Sequence, residues 1–213
     1  MLAYAAPRPQ SAPHWKAVWK RRVAKYGRWL HIYVSMGTFA VVLFFAVTGL
    51  TLNHAEYFSG AERTARVDGA LDARWTSPTL GQAVAKLEVA EYLRKTHGLR
   101  GAVSDFSVDD AQCSVSFKGP GYSADAFVDR ATGRYEVTVT TLGLAAVLND
   151  LHKGRDSGPV WKALIDISAG LLTLVSLTGL LLLYFIHRHR LAGLAALLGG
   201  CAFVYLVYAV WVP

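Results

Sequence analysis

Three stretches of this 213-residue chain carry no charged side chain: residues 30–55, 167–186 and 191–213. Each has about the 20 residues that a helix needs to cross the hydrocarbon core of a bilayer. In hydrocarbon no water completes the backbone hydrogen bonds, so a run this apolar and this long is read as a helix. Composition agrees: 53% of the residues are hydrophobic and 17% are charged, against a purely soluble class. The reading is an α-helical membrane protein with three transmembrane helices, over 30–55, 158–187 and 191–212. A basic segment, 1–29, precedes the first, and a small α+β domain, 56–157, separates the first from the second.

Arg8, Lys16, Lys20, Arg21, Arg22, Lys25 and Arg28 precede the first run with no acidic residue among them. Basic residues flank the cytoplasmic ends of membrane helices, so the N-terminus is placed in the cytoplasm, and the central domain and C-terminus on the far side. The net charge of +7 is thus a topology signal, with the lipid bilayer as the partner it implies and no nucleic acid. Trp15, Val18, Trp19, Val23, Tyr26 and Trp29 recur at helical spacing among those cations, which predicts an amphipathic helix lying at the cytoplasmic interface. The apolar run behind it is longer than the core of a signal peptide, so an uncleaved anchor is expected. Cys113 and Cys201 fall in compartments that do not readily meet, and neither a disulfide nor a cysteine-rich metal site is expected.

In the middle region, Ala83, Val84, Leu87, Ala90 and Leu93 predict a helix over 80–97 that stops at Gly98. Alternating or β-branched segments at 103–108, 112–118, 124–129 and 134–140, with turn residues between them, predict three or four antiparallel strands.

The segment AFVDRATGRYEVTV, 126–139, resembles the strand-turn-strand of the PepSY domain. Around it stand LH at Leu30-His31, TGLTLNH at 48–54, LHKGR at 151–155, and Asp166 followed by LTGLLL. In this order they resemble the PepSY-associated transmembrane family, related to inner-membrane ferric-siderophore reductases. The resemblance covers the chain from Trp29 to about His189. It implies a bacterial inner membrane and a periplasmic PepSY-like domain.

The histidines carry the chemistry. With the first helix running outward and the second inward, His31 and either His187 or His189 fall at one face, while His54 and His152 fall at the other. Ionisable residues at membrane depth usually mark function. Paired imidazoles on facing helices can supply both axial ligands of a haem iron. The expected metal ligands are therefore His31, His54, His152 and His187, holding two haem b groups. His187 is preferred to His189 because it lies deeper in the apolar run, and the two cannot both face one iron on an α-helix. Gly37, Gly49, Gly170 and Gly179 would give a ring or a helix room to approach, while Thr48-Gly49 and Thr178-Gly179 read as packing pairs. Arg28, Arg188 and Arg190 on one side, and Lys153 and Arg155 on the other, are candidates to pair with haem propionates. Asp166 is read as bonding Trp161, a group of the first helix, or a ligand imidazole. His14 and His97 are read as surface residues.

Two haems spaced across a bilayer move electrons between its faces. The resemblance implies a ferric-siderophore as acceptor, and hence an oxidoreductase without a side-chain acid or base. No flavin or nicotinamide fingerprint is present, so the donor is an unidentified cytoplasmic reductant or a quinol. Trp75 or Tyr122 would shape the docking surface. Alternatives are a haem-free regulator binding a periplasmic protein, and an electron-transfer subunit serving another protein. The third helix, with Gly199-Gly200, Tyr205 and Tyr208, would cover the haems or make a homodimer contact.

Overall fold

The computed structural model describes residues 14–58, 62–76 and 84–213. Helix α1 runs unbroken over His14–Asn53. The basic segment and the first span are thus one helix in the described residues, rather than an interfacial helix followed by a separate one. The physical reason is local: no proline lies between His14 and Asn53, so nothing interrupts the hydrogen-bond ladder. Positions 1–13 of the expected basic segment lie outside the described residues. A 3-10 turn, Ala55–Phe58, follows. At the other end of the chain come α5, Gly158–Phe185, a 3-10 turn, His187–His189, and α6, Arg190–Trp211, once the elements between are counted. Helices α1, α5 and α6 are long and apolar enough to cross a membrane.

Between α1 and α5 lie β1 (Arg63–Ala70), α2 (Ala73–Thr76), α3 (Lys86–His97), β2 (Ala102–Val108), β3 (Gln112–Gly119), β4 (Tyr122–Asp129), β5 (Arg134–Thr141) and α4 (Leu144–Lys153). The strands form one antiparallel sheet in the order β1-β5-β4-β3-β2. The chain divides into two compact units, one holding α1 up to Ala40 with Ile167–Pro213, the other Val41–Asp166.

Strand alternation decides which face of the sheet is covered. Cys113, Val115 and Phe117 on β3, Ala124, Ala126 and Val128 on β4, and Tyr135 and Val137 on β5 are buried in one core with Val89, Ala90 and Leu93 of α3. Full burial of a side chain such as Phe117 or Leu93 stabilises the fold by about 1.5–3 kcal/mol. Helix α3 ends where Gly98 takes the left-handed conformation, φ 63°, and its N–H caps the Arg94 carbonyl. The helix begins at Lys86 rather than at 80, and positions 77–83 lie outside the described residues.

The β4–β5 turn is the one contained in the PepSY-like segment. The Asp129 carboxylate accepts the backbone N–H and the hydroxyl of Thr132, each at 2.8 Å. Gly133, at φ 70°, closes the turn with its N–H on the Asp129 carbonyl at 2.9 Å. These donors hold the Asp129 carboxyl below the ordinary carboxylate range, the Thr132 N–H foremost.

Strand β1 and His97 also differ from expectation. Strand β1 pairs with β5 along its whole length as an edge strand, making five strands among the described residues where three or four were expected. His97 is no free surface residue: its Nε2 lies 2.8 Å from the Tyr135 hydroxyl, with the rings edge to face. Tyr135 is also the cross-strand partner of Gly69, and its ring fills the space that a side chain at Gly69 would need. Burial pushes the Tyr135 phenol above its usual value.

Candidate functional site

His152 sits on the last turn of α4, and its ring packs edge to face on Phe45 of α1, centroids 5.3 Å apart. Its Nδ1 lies 2.7 Å from the Thr48 hydroxyl. That hydroxyl also lies 2.7 Å from the Phe44 carbonyl of its own helix. When the threonine hydrogen goes to that carbonyl, the hydroxyl accepts from Nδ1–H and the neutral imidazole keeps its lone pair on Nε2. The next residue, Gly49, leaves the notch in which the ring rests: a Cβ there would stand 3.4 Å from His152 Cε1.

The arrangement occurs twice. His31 Nδ1 lies 3.0 Å from the Thr178 hydroxyl and 3.1 Å from the Val175 carbonyl of α5. A carbonyl only accepts, so Nδ1 carries the proton and Nε2 again holds a lone pair. Thr178 spends its own hydrogen within α5, 2.9 Å from the Leu174 and Val175 carbonyls. A Cβ at Gly179 would stand 3.2 Å from His31 Cε1. Leu30-His31 thus rests on Thr178-Gly179, and Leu151-His152 rests on Thr48-Gly49. The two Thr-Gly pairs, read from sequence as packing motifs, are the seats of the two histidines. Thr48 and Thr178 are almost fully buried, at 1% and 6% exposure.

What holds His152 in place can be followed outward through the same unit. Asp150, two residues earlier, accepts the Gly121 N–H of the β3–β4 turn at 2.8 Å, and the Leu142 N–H bonds the Gly121 carbonyl at the same distance. Gly121 sits at φ 64°, and a Cβ there would run into Val147 of α4, so only glycine fits. Gly154, at φ 68°, caps α4, and the Arg155 N–H bonds the Asp150 carbonyl at 2.8 Å. The indole of Trp161 donates to the Leu151 carbonyl at 2.8 Å and packs edge to face on Phe44.

The remaining site candidates are placed differently. His54 stands just beyond α1, half-exposed, its Nδ1 3.6 Å from a Glu56 carboxylate oxygen and its ring beside Tyr57. No direct contact joins it to His152 among the described residues. His187 and His189 lie in the 3-10 turn, not in an α-helix, so the angular argument that separated them does not apply there. The α5 helix ends at Phe185, short of the expected 187. The side chain of His187 lies outside the described residues, and His189 is exposed. Arg28 is exposed, whereas Arg155 is 3.9 Å from Asp150, and Arg190 stacks over Tyr184 at 4.9 Å. Asp166 does not bond Trp161, whose indole is engaged with Leu151; the carboxylate is exposed. Gly49 and Gly179 give the close approach anticipated for them, but Gly37 and Gly170 face open space. Trp75 packs against the domain core beside Tyr92, and the Tyr122 hydroxyl receives the Arg100 N–H at 3.2 Å. Both cysteines are free.

Sequence reasoning missed Thr48 and Thr178 as hydrogen-bond partners, and missed Asp150 altogether. The signal for the threonines was present, since each Thr-Gly pair has a Leu-His counterpart elsewhere in the chain.

Three apolar helices of membrane-crossing length, with a small antiparallel sheet domain inserted between the first and second, define a membrane protein of the PepSY-associated class. The chain belongs to the PepSY_TM-like family, whose family model matches residues 25–213. No curated protein and no solved structure matches it.

Proposed function

We propose that this chain is a membrane haem protein in which His31 and His152 are iron ligands. The observation that carries the reading is the matched pair of Nδ1···Oγ1 hydrogen bonds between His31 and Thr178 and between His152 and Thr48, which engage the Nδ1 of each ring and leave each Nε2 to ligate. A hydrogen bond on the far ring nitrogen is the usual support of a ligating histidine, because it orients the ring and raises its basicity. His54, with a Glu56 carboxylate oxygen 3.6 Å from its Nδ1, is the proposed partner of His152. His187 or His189 is the proposed partner of His31. Arg28 and Arg155 are the proposed propionate contacts.

A bound haem supplies one-electron exchange between ferric and ferrous iron. The protein orients the ligand rings, excludes water with apolar helix walls, and leaves open helix surface at Gly37 and Gly170. We assign the direction of transfer from the basic, cytoplasmic end of α1 toward a periplasmic sheet domain, on the positive-inside pattern. The acceptor we assign is a ferric siderophore, since reduction weakens the hold of hard oxygen ligands on iron. The oxidised and dithionite-reduced absorption spectra of the detergent-purified protein, with a pyridine haemochrome titration, test this reading. Low-spin b-type bands that fall by half in His31→Ala and again in His152→Ala are expected. A colourless protein from haem-replete cells would remove it.

A second reading is favoured by one observation: both histidines already have a structural task as half-buried pegs in glycine notches. Under it the chain is a haem-free regulator whose sheet domain binds a periplasmic protein. A colourless protein in which His152→Ala only lowers stability is its signature.

A further inference from the structure

We propose that a cavity between α1 and α5, within the unit that contains His31, binds the ring of a membrane-soluble isoprenoid quinone. The inference rests on the haem reading for its purpose, but its geometry stands apart from it. The cavity holds about 550 Å³ and is walled by Trp19, Tyr26 and Trp29 of α1 and by Leu181 of α5, with Arg22 at its rim. That volume falls in the range of small-molecule sites, and the lining combines mostly apolar walls with a few polar groups, as such sites do.

Three features select a quinone over an acyl chain. The first is depth along α1. The lining begins among the cations Lys20, Arg21, Arg22 and Lys25 and ends at Leu30, where the charge-free run starts, so the cavity lies where charged helix gives way to apolar helix. A quinone ring is polar at its two oxygens and apolar elsewhere, and its isoprenoid tail needs hydrocarbon, so it belongs at this boundary.

The second is the set of groups on offer. Trp19, Tyr26 and Trp29 supply aromatic surface for a planar ring to pack on, the Arg22 guanidinium is a charged donor, and the Tyr26 phenol can donate or accept. Neither Arg22 nor Tyr26 has a protein partner among the described residues. An acyl chain would use none of these polar groups.

The third is the inner wall. Thr178 lines the cavity and is also the residue whose hydroxyl accepts the His31 Nδ1–H. A ligand there lies one side chain from the imidazole. Gly27 permits this closeness of the helices, since a Cβ in its place would stand 3.3 Å from a methyl of Leu181.

The ordinary role of tryptophan, tyrosine and arginine at this depth is anchoring at the headgroups, and anchoring predicts no saturable site. The test is photolabelling of the full chain in lipid nanodiscs with an azido-quinone, with decylubiquinone as competitor and peptide mapping as readout. Label in the peptides bearing Trp19–Trp29, removed by competitor and lowered at least tenfold by Leu181→Trp, which fills the cavity, supports the site. Arg22→Gln should weaken competition severalfold while leaving the fold and the haem spectrum unchanged. Label that resists competitor, maps elsewhere, or survives Leu181→Trp in a folded protein overturns it. The spectrum of the same preparation reads the haem reading separately: a colourless protein with competed label keeps the cavity and loses the haem.

Discussion

The Thr48 hydroxyl of α1 and the His152 imidazole of α4, 104 positions apart in the chain, meet at 2.7 Å. The hydroxyl also reaches the Phe44 carbonyl of its own helix at 2.7 Å, so a residue common in packing motifs holds one ring nitrogen of a candidate ligand. Replacement by valine keeps the shape and removes the acceptor. Thr48→Val should cost about 1 kcal/mol of stability, the net worth of one hydrogen bond. On the haem reading it should retain the haem and raise the midpoint potential of one centre, because a less basic imidazole favours ferrous iron. Potentiometric titration against the parent chain reads the shift, and an unchanged potential would argue that His152 does not ligate.

The two glycine notches differ in tightness. A methyl at Gly49 would make ordinary contact with His152 at 3.4 Å, whereas one at Gly179 would press on His31 at 3.2 Å. Helical Gly→Ala otherwise gains roughly 0.5–1 kcal/mol. Gly49→Ala is therefore expected to be neutral or stabilising, and Gly179→Ala to fall below it in thermal stability and to disturb the His31 environment selectively. Melting curves in one detergent compare them directly.

Gly69 and Tyr135 occupy one cross-strand position between them. Gly69→Ala would drive a methyl into the Tyr135 ring and should cost about 1–3 kcal/mol, as overpacking does. In a Tyr135→Ala background, itself destabilised by the loss of a core ring, Gly69→Ala should cost less because the space is cleared, and a double-mutant cycle by chemical denaturation measures the coupling.

Asp150 ties the β3–β4 turn to the helix that carries His152. Asp150→Ala removes the acceptor for the Gly121 N–H and should lose about 1–3 kcal/mol with faster amide exchange at Gly121. Asp150→Asn retains a side-chain oxygen and should keep most of the protection. Equal exchange in the two variants would show that the turn is held by something else.

The Asp129 turn gives a pH dependence with a definite sign. Its folded carboxyl is depressed by the Thr132 donors, so the stability it contributes is present above the ordinary carboxylate value. It is lost as the pH falls through the depressed value. Thr132→Ala removes the hydroxyl donor, brings the folded value closer to the unfolded one, and should therefore lower stability above that window while shrinking the loss on acidification. Unfolding midpoints collected between pH 2 and pH 6, a range set around the reference value of about 3.9, test it.

The spans were legible because hydropathy and length alone demand them, and β2 to β5 because alternating residues and glycine turns mark both faces and ends. Strand β1 was not legible: RTARVDGA carries two arginines, an aspartate and a glycine, with Val67 its one large apolar residue, so it lacks the spaced apolar residues that mark β2 at Val103, Phe106 and Val108. Helix α4 is ten residues long, and its sequence was read only for the LHKGR motif at its end. The histidines were found as a set, but their neighbours were expected to be one another. The partners that the structure supplies, Thr48 and Thr178, lie across separations of 104 and 147 positions, which no local pattern encodes. His97 was set aside for want of a partner at membrane depth, whereas its partner is a tyrosine of the sheet.

The exchange of Leu-His for Thr-Gly between the two halves of the chain makes neither half self-sufficient. A polypeptide cut in the loop before β3 would leave an N-terminal piece with His31 and the Thr48 seat, and a C-terminal piece with His152 and the Thr178 seat. Within each piece the peg and the hole belong to different joints, and only co-expression of both would close them. Such split fragments are natural reagents for reconstitution, since assembly itself reports that both joints have formed.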